Sequence, residues 1–329
     1  MKVLITGGTG FIGSRLALRC LEKGDSVRIL GQANNPAEEE NSRLVKAKGG
    51  EIRLASISNR EDVYSSVSGI DLVYHLAAAQ HEANVPDKRF WDVNVNGTHH
   101  LLEASVQAGV KRFIHGSTIG VYGSALEGKI DEQSPLKPDN IYGITKLEGE
   151  KLVLSYQEKL PLVIIRISET YGPGDRRLLK LFKTIKKNIF FMIGNGNNLH
   201  HLIYIDDLIE GLFLAATAGK AIGRIFVLAG KEPITTNEMV ETIAKHLGSK
   251  IPKVRAPLPI FLFLATIMEK MFRPLGIQPP LHRRRMDFFK KSFVFSQEEA
   301  FSRLGFVPKY TFRQGVEETA RWYTEMGYI

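Results

Sequence analysis

The sequence predicts an α/β protein: a doubly wound parallel sheet with a smaller C-terminal substrate lobe. Three observations carry this expectation. Short apolar runs alternate with helix-periodic stretches through the first half of the chain. A glycine-rich turn, Thr6-Gly7-Gly8-Thr9-Gly10-Phe11-Ile12-Gly13, separates the first such run from the first helical stretch. Beyond about residue 170 the alternation loosens and Gly and Pro punctuate the chain, as in Tyr171-Gly172-Pro173-Gly174 and Gly194-Asn195-Gly196.

In chain order, strands are expected at 3–6, 26–30, 51–54, 72–75, 112–115 and 162–166. Helices are expected at 11–23, where Leu16, Ala17 and Leu21 repeat at helical spacing, and at 60–67, 90–108 and 141–159. The polar segment 32–48 reads as a surface loop entering a helix. Such βαβα alternation implies a parallel sheet with helices on both faces. Later helices are expected at 206–218, 236–247 and 313–326, with few strands between them. Residues 1–170 are then expected to form the larger domain, interleaved with parts of later segments, and 171–329 the smaller lobe.

A chain of 329 residues, 43% hydrophobic and 24% charged, has the composition of a soluble globular protein with a sizeable core. One cysteine, Cys20, excludes an intrachain disulfide or a cysteine-rich metal cluster and suits a reducing cytoplasm. Net charge is +9, concentrated partly in Lys180, Lys183, Lys186 and Lys187 and partly in Arg283, Arg284, Arg285, Lys290 and Lys291. Phosphorylated ligands or an anionic membrane surface suit that excess. Nucleic acid is not expected, because no aromatic-interleaved basic stripe or reading helix is present. Met1-Lys2 leads directly into a strand, so no secretory leader is expected. The apolar stretch 256–268 is broken by Pro257 and Pro259 and is shorter than the ~20 residues a spanning helix needs.

The glycine turn has the strand–turn–helix setting of a dinucleotide site. Gly7 allows a sharp turn, Gly10 close approach of a pyrophosphate, and Gly13 close packing of helix on strand. The free amides and positive end of that helix would face the phosphates. A second signal is Tyr142-Gly143-Ile144-Thr145-Lys146, which sets Tyr and Lys four apart on one helix face. A neighbouring ammonium favours the phenolate and makes tyrosine a usable proton donor or acceptor near neutrality. Asp139 or Asn140 could cap that helix. Upstream, Phe113-Ile114 leads into His115-Gly116-Ser117-Thr118, a strand ending in hydroxyls that can bond a substrate oxygen.

With these motifs on one frame, the chain resembles the extended short-chain dehydrogenases/reductases, in their NAD-dependent epimerase/dehydratase branch. The likeness runs on through His75-Leu76-Ala77-Ala78, Asn94-Val95-Asn96-Gly97-Thr98, Tyr204-Ile205-Asp206-Asp207 and Leu304-Gly305-Phe306-Val307-Pro308. It implies a Rossmann domain, NAD or NADP as cofactor, and a catalytic set of Thr118, Tyr142 and Lys146. Cofactor contacts would come from Gly7, Gly10, Phe11, Ile12, Gly13, Gly31, Ala77, Ala78 and Asn96, with Tyr142 and Lys146 at the nicotinamide end. Ser117, Glu169, His200 and Arg284 would face a small-molecule substrate, no metal is implied, and a homodimer is expected.

Departures from the family pattern bear on cofactor and substrate. At the end of the second strand, NAD users commonly carry an acid and NADP users an arginine; here Gly31 and Gln32 stand there. Arg28 reads as a solvent-facing strand residue, and Ser56 replaces another frequent acid. Ile119-Gly120 follow Thr118 where a dehydratase carries an acidic pair, and neither can transfer a proton. Nucleotide-sugar members commonly carry an asparagine, an arginine and a second arginine at the positions of Glu169, His200 and Arg284. An ionised Glu169 would repel a diphosphate, whereas His200 and Arg284 could bind one. His200 and His201 read as surface or substrate residues in preference to metal ligands.

The leading reading is an NAD(P)-dependent epimerase or dehydrogenase acting on a secondary alcohol carbon of a nucleotide sugar. The alternative is oxidation of a 3β-hydroxysteroid or another lipophilic alcohol. A third, from another class, is a catalytically silent nucleotide sensor or scaffold. The apolar cluster in 257–276 reads first as a helix closing the small lobe, and otherwise as a substrate wall or a peripheral membrane contact rimmed by Arg273 and Arg283–Arg285.

Overall fold

Successive residues of a strand point to opposite faces, and this divides the apolar side chains of the sheet between two layers. Val3, Ile5, Val27 and Ile29 pack with Leu16 and Ala17 in one core; Leu4, Leu30, Val73 and Phe113 pack with Val63, Leu101, Leu102 and Val153 in another. The computed structural model describes residues 1–80, 86–124, 128–272, 281 and 283–329, the last without the side chains of 283–285. Among the described residues, seven strands form the central sheet: β1 (Lys2–Thr6), β2 (Ser26–Gly31), β3 (Glu51–Leu54), β4 (Leu72–His75), β5 (Arg112–Thr118), β6 (Leu162–Ile167) and β7 (Ile225–Leu228). Their order is β7-β6-β5-β4-β1-β2-β3, and every neighbouring pair is parallel. The winding direction reverses between β1 and β4, which opens a crevice at their carboxyl ends.

Five helices accompany the first five strands: α1 (Phe11–Glu22), α2 (Pro36–Ala47), α3 (Arg60–Val67), α4 (Gly97–Gln107) and α5 (Ile141–Leu154). The polar stretch after β2 does enter a helix, because Asn35 caps the amides of Ala37 and Glu38 and Pro36 starts the first turn. The single helix expected at 90–108 is instead a short helix Asp87–Trp91, a π-helical turn Asp92–Asn96 and then α4. The widened turn holds Asn94, whose amide reaches Ala79 and Thr145. The fifth helix ends five residues before the expected 159, at Leu154, and turns follow.

After residue 170 the chain returns to the central sheet. Helix Ile205–Thr217 packs against β5 and β6, and β7 extends the sheet beside β6. The sequence pattern predicts no strand at 225–228, because its four residues are placed by pairing with β6 and not by a local signal. Arg28 is not free in solvent: its guanidinium bonds the Glu51 carboxylate at 2.7 Å and the Ser66 carbonyl at 2.7 Å. No helix among the described residues is long and apolar enough to cross a membrane.

Candidate active site

Gly7 adopts φ +69°, and a Cβ there would lie 2.8 Å from the backbone nitrogen of Ala77. The turn after β1 is thus pressed against the turn after β4, and only glycine permits it. At Gly13 a Cβ would lie 2.2 Å from the Gly7 carbonyl oxygen, so α1 rests directly on the loop. No side chain caps α1, and its first turn carries no acid. The amides of Phe11 and Ile12 belong to that uncapped turn, which suits an anionic pyrophosphate. These features fit a dinucleotide.

Gly31 has a different cause from the one its position implied. A Cβ there would lie 2.6 Å from Thr9 Oγ1, and the Thr9 carbonyl is itself held by Asn41 Nδ2 at 2.8 Å. Gly31 therefore makes room for the glycine loop. Gln32, one residue on, lines a cleft of about 670 Å³ with Ser56, Ser58, Lys88, Arg89 and Asn96. This places the predicted Asn96 beside the end of β2. The loop bearing Ala77 and Ala78 is tied down by Asn94, which accepts from the Ala79 amide at 2.8 Å and donates to Thr145 Oγ1 at 2.9 Å. The motif Asn94-Val95-Asn96 does not by itself reveal this role, because the burial of Asn94 and both its bonds are tertiary.

The three residues expected to be catalytic lie near the end of β5. Thr118 is its last residue, and its Oγ1 accepts the Gly120 amide at 3.1 Å, leaving the hydroxyl proton available to donate. Asn140, not Asp139, caps α5 by accepting from the Gly143 amide at 3.0 Å. A Cβ on Gly143 would meet the Gly120 carbonyl oxygen at 2.6 Å. A Cβ on Gly120 would lie 3.4 Å from Thr118 Oγ1 and 3.9 Å from the Tyr142 ring. The start of α5 therefore sits on the turn after β5, with Thr118 and Tyr142 on either side of Gly120.

One turn further along α5, Lys146 is buried and donates to the Gly116 carbonyl at 2.7 Å, with His115 Nε2 3.5 Å away. Burial pulls its ammonium down to about 8, against the opposing pull of Glu150. His75 and His115 are driven well below the ordinary histidine range, first by burial and then by the Lys146 charge. Both imidazoles are neutral at pH 7. Ser117 donates to Glu150, whose carboxylate also holds Arg166 at 2.8 Å within the core. That hydroxyl is committed to the buried ion pair instead of the substrate side on which it was expected.

Glu169 and His200 meet: Glu169 Oε2 lies 2.9 Å from His200 Nδ1. Burial works to raise the Glu169 carboxyl, but the His200 and Arg177 charges hold it below the ordinary range. His200 Nε2 lies 3.1 Å from Thr236 Oγ1, and its ring lies against Phe288 at 4.7 Å between centroids. His201 turns elsewhere, with Nε2 on the Gly230 carbonyl and Nδ1 accepting the Phe295 amide, both at 3.0 Å. The two histidines share no ligand set, and no metal-holding cluster occurs among the described residues. Arg284 falls in the helix Arg283–Lys290, and its side chain lies outside the described residues.

Residues 3–229 match the NAD dependent epimerase/dehydratase family. Over 96% of its length the chain is 27% identical to 3beta-hydroxysteroid-dehydrogenase/decarboxylase isoform 1 of Arabidopsis thaliana, of which it covers 78%. It is 26% identical, over 98% of this chain and 95% of the relative, to the N-acetyl-alpha-D-glucosaminyl-diphospho-ditrans,octacis-undecaprenol 4-epimerase of Escherichia coli O157:H7. The crystal structure of UDP-glucuronic acid 4-epimerase from Bacillus cereus, in complex with UDP-glucuronic acid and NAD, superposes with a TM-score of 0.82. Identity there is 25%, covering 99% of this chain and 100% of the other.

Proposed function

This chain belongs to the NAD dependent epimerase/dehydratase family, and on that premise we propose that it oxidises and re-reduces a secondary alcohol carbon of a nucleotide sugar. The observation that carries the reading is the seating of α5 on Gly120, which brings Thr118 and Tyr142 to one place. When bound, the nicotinamide accepts and returns a hydride. Tyr142 takes the hydroxyl proton and later gives it back. Thr118 donates its free proton to the same oxygen and fixes its direction. Lys146, still mostly an ammonium at pH 7, favours the Tyr142 phenolate. The crevice between β1 and β4 and the uncapped start of α1 receive the dinucleotide, taken as NAD because the Bacillus cereus epimerase is solved with it.

Assay of UDP-glucuronic acid and UDP-N-acetylglucosamine with NAD tests the reading. Tyr142→Phe should keep NAD binding within about twofold and lose about 10²–10⁴ of turnover. Wild-type turnover in that variant would remove the mechanism. NAD binding without bound-cofactor redox change, across sugars and sterols alike, would leave a sensor or scaffold.

A second reading, oxidation of a lipophilic alcohol such as a 3β-hydroxysteroid, is favoured by the Glu169–His200 pair and by the apolar helix Leu258–Phe272. It is also supported by the Arabidopsis relative. We further propose a reducing cytoplasm as its location, which the buried free Cys20 supports, and a homodimer, which sedimentation would measure.

A further inference from the structure

Helix Leu258–Phe272 has two apolar faces. One is used: Ala265 is fully buried and packs with Leu258, Phe261 and Leu262 against Ile193 and Met286. The other is bare. Ile260, Phe263, Leu264, Ile267 and Met271 follow helical spacing along a single face and are all exposed, Phe263 to 66% and Met271 to 61%. A soluble helix normally turns charged residues to that side, and this helix has Glu269 and Lys270 alone.

The bare face continues onto two neighbouring loops. Phe191 packs against Phe261 with tilted rings, 5.8 Å between centroids, the Met192 amide bonds the Val254 carbonyl at 2.9 Å, and the Lys250 amide bonds Asn188 Oδ1 at 2.9 Å. These bonds hold exposed Ile189, Phe191, Ile251 and Val254 beside the helix, with Val254 68% exposed. The three segments that carry these residues, 183–191, 250–254 and the helix itself, bring with them the exposed cations Lys183, Lys186, Lys187, Lys250, Lys253 and Lys270 against one acid, Glu269. A contiguous apolar patch flanked by so large an excess of cations is unusual on a monomer surface.

The geometry points to a docking surface for an anionic phospholipid bilayer, with helix Leu258–Phe272 lying in the plane of the headgroups. Apolar residues on one side of an interfacial helix enter the acyl boundary, while surrounding lysines meet negative headgroups. The rim selects this occupant over a second copy of the chain, whose own lysine rim would repel it. The buried side of the patch adjoins the candidate site through Met286 and Phe288 of one helix, the latter against His200. Docking therefore sets the substrate end of the enzyme toward the membrane. The inference does not depend on which alcohol is oxidised.

Flotation of the full chain with vesicles tests it. Binding to phosphatidylcholine vesicles containing phosphatidylglycerol should exceed binding to pure phosphatidylcholine by about tenfold, and about 0.5 M salt should abolish the excess. Phe263→Glu/Met271→Glu should lose about tenfold in partitioning. Lys183→Glu/Lys253→Glu, all on the surface, should lose several-fold, and both variants should retain NADH binding as the measure of folding. Indifference to both vesicles would overturn the proposal, as would equal binding to both. So would a wild-type dimer that ignores vesicles and becomes a monomer in Phe263→Glu/Met271→Glu, because the patch would then belong to a second copy.

Discussion

Glu169 Oε2 lies 2.9 Å from His200 Nδ1, so a carboxylate and an imidazole occupy two positions that the nucleotide-sugar members commonly give to asparagine and arginine. The two side chains form one hydrogen-bonded pair. Its carboxylate is held ionised by the His200 and Arg177 charges after burial has worked the other way.

Glu169→Gln should therefore tighten UDP binding by about fivefold, roughly 1 kcal/mol of relieved repulsion. Isothermal titration with UDP measures it. An unchanged or larger Kd would show that the carboxylate does not face the diphosphate.

Lys146 couples stability to alkaline pH. Its folded-state value, near 8, is below that of an unfolded lysine at about 10.4, so between those values the unfolded chain holds the extra proton. Stability from this group is lowest below pH 8 and rises as pH climbs toward 10. In Lys146→Met that rise should vanish, so the variant's advantage at pH 7 should shrink by pH 10. Denaturant titrations at the two pH values measure the difference, and a constant gap would refute it.

Gly10 and Gly13 separate folding from cofactor binding. Gly13→Ala drives a methyl to 2.2 Å from the Gly7 carbonyl oxygen and should cost about 2 kcal/mol or more. Gly10→Ala brings one only to 3.3 Å of the same atom and should leave the melting temperature nearly unchanged while weakening NAD. Thermal melts beside NADH fluorescence distinguish them; equal losses of stability in both variants would contradict this division.

Position 32, not 31, should govern the cofactor form. Gln32→Asp places an acid at the cleft, where it accepts ribose hydroxyls and repels a 2′-phosphate, and should move the NAD:NADP preference by about tenfold toward NAD. Gly31→Asp should instead destabilise the protein, because its Cβ would strike Thr9. A stable Gly31→Asp variant with altered preference would reverse the assignment.

The parallel sheet, the glycine turn and the Tyr142/Lys146 pair are legible in the sequence because each is a local pattern, whereas Thr118 is singled out from Ser117 only by the family resemblance. Strand alternation, helix periodicity and the i to i+4 spacing of Tyr142 and Lys146 need no knowledge of distant chain. Only the tertiary structure decided what those residues touch. Ser117 turned to Glu150 since a buried carboxylate and Arg166 required it; Glu169 found His200 from thirty-one residues away. Strand β7 joined the sheet beside β6 through a pairing that no local window contains. The bare face of helix Leu258–Phe272 was beyond the sequence for the same reason. Its apolar residues look alike in the chain, and packing against Ile193 and Met286 buries one side and leaves the other to solvent.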